Sequence, residues 1–175
     1  MIELKEITYE NAGKVLKLKV AKNQEDFVAS NDYSLAQAYC SLKEDKHPFT
    51  ALAIANGEEI VGFLMYEYCP CLSERDDRDE DEDEDEDDNE EYFQDEPYYH
   101  LFRYMIGEQY QDKGYGRVAM EMLIEHMKKR LQGSADAIYI CYCPPNIVAK
   151  KFYDSFGFVD TGQIVGGEYI TRLGI

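Results

Sequence analysis

The sequence predicts an α/β fold, and three observations carry that expectation. Two apolar runs, residues 49–55 and 60–68, flank Asn56-Gly57, a strong short-range hairpin signal. A third run, residues 98–106, passes through Gly114-Tyr115-Gly116 into a segment whose apolar residues recur at three and four positions, the spacing of a helix with one buried face. A fourth run, residues 137–143, precedes an Asn-started helical segment and two closing strands, 158–165 and 168–173, around Gly166-Gly167.

The remaining elements follow in order. Residues 2–8 alternate apolar and polar as a half-buried strand does, and residues 11–20 read as a helix with Val15, Leu16 and Leu18 near its apolar stripe. A polar stretch leads to a short helix over 34–42, started by Asn31 or Ser34. In the helix over 116–131 the stripe is Gly116, Ala119, Met120, Leu123, Ile124, Met127 and Leu131. Lys128, Lys129 and Arg130 suit its C-terminal dipole, and Gly133 is the expected stop.

One domain of 175 residues, 45% apolar, is long enough to bury a substantial core. The net charge of −18 belongs mostly to one place: between positions 74 and 96 there are seventeen acidic residues against two Arg, fifteen of the eighteen excess charges. Residues 79–88 contain no neutral side chain, so an acidic low-complexity insertion at about 73–97 is expected to stay extended by self-repulsion. An acidic chain with no basic face is not expected to bind nucleic acid. No apolar run approaches membrane-spanning length and the N-terminus lacks an export pattern, which makes a cytoplasmic location, with no membrane partner, the expectation. The five cysteines, Cys40, Cys69, Cys71, Cys141 and Cys143, lack the spacing of a disulfide framework or a looped zinc site, so reduced thiols and no metal are expected.

The segment Gln111-Asp112-Lys113-Gly114-Tyr115-Gly116-Arg117 lies where a phosphate cradle belongs. Its two glycines let the backbone turn tightly, and the helix that follows presents unpaired amide N–H groups toward an anion. The spacing Gln-x-x-Gly-x-Gly resembles the acyl-CoA signature of the GNAT family of N-acetyltransferases. Asn146, Ala149, Tyr153, Gly157 and Phe158 match a second element of that family, in the family's own order. Residues 20–30, 59–63, Met65 and Tyr66 resemble the bacterial spermine/spermidine branch of that family.

That resemblance implies a mixed, mostly antiparallel central sheet with splayed strands and flanking helices, acetyl-CoA as cosubstrate, and a small-molecule amine or polyamine as acceptor. It implies that backbone groups of Tyr104, Met105 and Ile106 lie along the pantetheine arm, one N–H facing the thioester oxygen. Gln111 to Arg117 would hold the pyrophosphate, and Tyr153 would protonate the leaving thiolate while contributing to CoA binding. Asn146 either contacts CoA or caps its helix. Polyamine enzymes often carry a carboxylate before the phosphate loop, but the aligned position here is Phe102. Glu67, His100 and Tyr66 are therefore the candidates for the base, and Glu25, Asp26 and Glu67 for acceptor binding. A homodimer is the assembly the resemblance allows. Two rival readings stay open: another amine or protein lysine or N-terminus as acceptor, and a non-catalytic acyl-CoA sensor or acidic interaction module. The acidic insertion is expected either to collect polycationic amines electrostatically or to be a solvated loop.

Overall fold

The computed structural model describes residues 1–43, 48–70 and 96–175. The acidic stretch from 71 to 95 lies outside the described residues. Seven strands, β1 (Ile2–Glu6), β2 (Thr50–Asn56), β3 (Glu59–Cys69), β4 (Tyr98–Ile106), β5 (Ala137–Tyr142), β6 (Val159–Val165) and β7 (Glu168–Gly174), form a sheet in the order β1-β2-β3-β4-β5-β7-β6. Four helices accompany them: α1 (Tyr9–Lys17), α2 (Asn31–Lys43), α3 (Tyr115–Lys128) and α4 (Ile147–Asp154). The pairings with a defined register are antiparallel except β4 with β5, which is parallel. The predicted mixed, mostly antiparallel α/β sheet is the observed one.

The chain packs as two compact units. The first comprises Met1–Glu67 and Leu101–Leu131. Its core gathers Val15 of α1, Ala38 of α2, Ala53 and Ala55 of β2, Ile60, Phe63 and Met65 of β3, and Met105 of β4. Gly62 is required there, since a methyl group would meet the Met105 carbonyl oxygen and the Ile106 and Ile54 side chains. Thr8 and Asn11 cap α1 reciprocally, the Thr8 N–H donating to Asn11 Oδ1 at 2.8 Å. Val15 is fully buried but Leu16 is 47% exposed, so only part of the expected stripe faces inward. Helix α2 begins at Asn31, whose buried amide donates to the Val15 carbonyl at 2.9 Å.

The α3 stripe buries Ala119, Met120, Leu123, Ile124 and Met127 as predicted, but Leu131 is 73% exposed because the helix has already ended. The stop is at Arg130, which adopts φ +53°, rather than at Gly133.

The second unit comprises Tyr68–His100 and Gln132–Ile175. Gly133 belongs here, and a side chain on it would run into the Tyr68 ring. Cys69, Tyr98, Ala137, Tyr139 and Ile170 form the unit's buried cluster, with Cys141 and Val165 against it. Gly157, at φ +91°, ends α4: Phe158 N–H reaches the Tyr153 carbonyl at 3.3 Å and Gly157 N–H that of Asp154 at 3.0 Å, a Schellman closure. This explains Gly157-Phe158 physically, because the turn delivers Phe158, 3% exposed, onto the Tyr153 ring.

Candidate active site

In the first unit, the loop between β4 and α3 has the form of an anion cradle. Asp112 and Gly114 adopt φ +59° and +78°, an alternation that turns successive N–H groups to one side. Gly114 is the N-cap of α3 and offers no side-chain cap, so the first-turn amides keep their donors for a ligand. A Cβ built on Gly114 meets nothing within 4 Å; the space in front of the turn is open. The exposed cations Lys113 and Arg117 flank it, Lys113 Nζ donating to the Gln109 carbonyl at 2.8 Å. An anionic ligand such as a pyrophosphate fits these donors.

Four hydrogen bonds fix the cradle. Tyr104 hydroxyl donates to the Gly116 carbonyl at 2.6 Å, tying β4 to the first turn of α3. Asn56 Nδ2 donates to the Tyr115 hydroxyl at 3.2 Å. Gln111 Nε2 donates to Gln24 Oε1 at 2.7 Å and to the Ile106 carbonyl at 3.0 Å. Gln111 therefore holds the loop by its side chain. Gln24 sits in the 3-10 turn Lys22–Phe27 beside Glu25 and Asp26, both exposed. Sequence reasoning missed Gln24, because its partner is 87 residues away.

Along β4, Tyr104 and Ile106 are half-buried and Met105 is 5% exposed. Phe102 stacks on Phe49 at 5.0 Å, with the Arg103 guanidinium 4.0 Å from its ring centre. Glu67 is half-buried near the end of β3. Tyr66 is 1% exposed, and its hydroxyl lies 3.0 Å from His126 Nε2 of α3. Partial burial of His126 on α3, then the nearby Lys129, holds its imidazole below the usual range.

The second unit carries Tyr153, His100 and Asn146. Tyr153 is 8% exposed and packed among Tyr142, Phe152 and Phe158, with ring centres 6.4, 5.7 and 5.9 Å away. Burial drives its phenol well above the ordinary tyrosine range, and the fields of Glu168 and Cys141 add to the effect. It is a protonated donor at neutral pH. Asn146 Oδ1 accepts the Ala149 N–H at 3.0 Å, so its side chain caps α4. His100 Nε2 lies 4.0 Å from Cys141 Sγ.

Two thiols line the β5 end of this unit. Burial, then Glu168, pushes Cys141 up to about 12; burial, then the hydrogen bond to Glu168, pushes Cys143 up to about 11. Neither is a thiolate at neutral pH, so neither is equipped to accept an acyl group. Iodoacetamide should leave both unmodified near about pH 7 while labelling exposed Cys40, and labelling of Cys143 should rise about tenfold per pH unit toward its pKa. Peptide mapping checks this; rapid neutral-pH labelling of Cys143 would contradict it. Among the described residues no group of three or more His, Cys, Asp or Glu forms a metal cluster, and no helix is long and apolar enough to cross a membrane.

Comparison with known proteins bears on the family and the fold. The chain is 27% identical over 163 residues to the spermine/spermidine N(1)-acetyltransferase of Bacillus subtilis strain 168, covering 93% of this chain and 91% of that one. Its fold is similar to that of the PaiA N-acetyltransferase from Thermoplasma acidophilum in complex with coenzyme A, with TM-score 0.64, 13% identity, and coverage of 100% and 99% of the two chains. The ribosomal-protein-S18-alanine N-acetyltransferase from Escherichia coli gives TM-score 0.62 at 14% identity, covering 100% and 94%. Residues 15–158 match the acetyltransferase (GNAT) family. The chain belongs to that family, whose members use acetyl-CoA as acetyl donor.

Proposed function

We propose that this acetyltransferase transfers the acetyl group of acetyl-CoA to a primary amine of a polyamine such as spermine or spermidine, by direct attack. The observation that carries the acceptor is the match to a spermine/spermidine enzyme over 93% of the chain. Acetyl-CoA supplies the activated thioester. The turn at Gly114 and the first-turn amides of α3 bind its pyrophosphate, and the backbone of Tyr104, Met105 and Ile106 lines the pantetheine arm. Tyr153, held protonated by burial, gives its proton to the departing sulfur. The protonated state of Cys141 and Cys143 favours direct attack over a cysteine-bound acyl group.

An alkyl ammonium must first lose a proton, which costs about 4–5 kcal/mol at neutral pH when the Lys reference pKa applies. Glu67 and His100 are the groups that take it, directly or through water. Glu25 and Asp26, exposed on the turn that Gln24 anchors to the cradle, meet the distal ammonium groups.

The packed Phe102, where a carboxylate is common in polyamine enzymes, favours a second reading as a non-catalytic acyl-CoA sensor. Free-thiol release with spermine, spermidine, lysine, an N-terminal peptide and an aminoglycoside separates the readings. Release with the polyamines above the rest supports the proposal. Release with another acceptor alone moves the assignment, and none with any acceptor leaves the sensor.

A further inference from the structure

We infer that Gln24 is a positioning residue that carries occupancy of the cofactor cradle to the turn Lys22–Phe27, and so to the amine held there. Cradle and turn lie in the same compact unit. The segment leading into the turn is seated on the loop after β4 at two points. Glu108 N–H donates to the Lys19 carbonyl at 2.8 Å, and a methyl group on Gly107 would come within 2.8 Å of Leu18 Cδ2. Leu18 and Val20 also pack against the unit's core. Beyond them Lys22, Asn23, Glu25 and Asp26 are exposed, and Gln24 among them is half-buried. Its side chain is the one that turns back to the cradle.

The donors fix the direction of that contact. Gln111 Nε2 reaches the Ile106 carbonyl at 3.0 Å, a contact that only the amide nitrogen can make, so Gln24 meets the same nitrogen at 2.7 Å with its oxygen. Both amide protons of Gln111 are thereby engaged. One carboxamide joins the last residue of β4, the cradle loop and the turn. Just after it, Asp112 and Gly114 hold the left-handed backbone that shapes the cradle. A pyrophosphate bound there steadies Gln111, and the turn then docks on a partner that is already ordered. Glu25 and Asp26 follow Gln24 directly, so they are held in place before the amine arrives and ordering them no longer weakens its binding.

This assignment rests on the reading of the Gly114 turn as the acetyl-CoA site and of Glu25 and Asp26 as amine contacts. Its test pairs two measurements on the wild type, on Gln24→Leu, which keeps the size and loses the acceptor, and on Gln24→Glu, which keeps an acceptor oxygen. The first is calorimetric affinity for spermidine without and with saturating CoA. CoA should tighten spermidine about fivefold or more in the wild type and in Gln24→Glu, and the ratio should fall to near one in Gln24→Leu. The second is amide hydrogen exchange over residues 20–28, which saturating CoA should slow in the wild type and in Gln24→Glu but not in Gln24→Leu. A merely structural role would lower the melting temperature and leave the ratio intact. A wild-type ratio of one, or a ratio that survives in Gln24→Leu, would overturn the assignment. If the wild type binds CoA but no amine, the polyamine reading falls and exchange decides: protection lost in Gln24→Leu keeps the link from cradle to turn, and equal protection removes it. A wild type that binds no CoA would remove the cradle and the link together.

Discussion

Gly114→Val is expected to weaken acetyl-CoA binding by about tenfold or more, with a smaller effect on thermal stability. At φ +78° a β-branched residue carries strain on the order of 1–3 kcal/mol, and relief of that strain rotates the turn out of the left-handed region. About 1.4 kcal/mol of lost cradle geometry is a decade in affinity. No neighbour lies within 4 Å of the added Cβ, so a packing clash does not account for the loss. Gly114→Asn is the control, since asparagine tolerates this conformation, and its affinity should fall less. Calorimetry with acetyl-CoA checks both variants. Wild-type affinity in a folded Gly114→Val protein would remove the turn from the binding site.

Tyr153→Phe should lower kcat by roughly 10²–10⁴ while changing the KM for acetyl-CoA little, because a proton donor contributes as the sulfur departs. The structure makes this a clean experiment. The ring contacts to Tyr142, Phe152 and Phe158 persist in phenylalanine, so folding should be retained. Steady-state kinetics with a near-native melting curve checks the split. An unchanged kcat would make Tyr153 a packing residue, and a raised KM with unchanged kcat would make it a cofactor contact.

The sequence carried those parts of the fold whose determinants are local. Tyr98–Ile106 is bounded as the apolar run predicts, and the helix after Gly114-Tyr115-Gly116 buries five residues of its expected stripe. The Gly-Phe pair was legible as a family element, and its cause is a helix-closing turn that places Phe158 on Tyr153.

What the sequence did not show depends on contacts between distant positions. Nothing local distinguishes Arg130 as the left-handed stop of α3, whereas Gly133 is the residue type expected there; the actual constraint on Gly133 is the Tyr68 ring. Asn31 starts α2 where its amide can reach the Val15 carbonyl, sixteen residues earlier. Gln24 and Glu168 were both invisible for this reason. One gains its meaning from Gln111 and the other from Cys143, across loops that no periodicity reports.

Acetylation of a polyamine from acetyl-CoA can be read by mass spectrometry of the amine after incubation with acetyl-CoA and spermidine. Spermidine bearing one acetyl group is expected, formed in step with an equal amount of free CoA and sharply reduced in Tyr153→Phe. Protein that binds acetyl-CoA yet returns spermidine unmodified would contradict it.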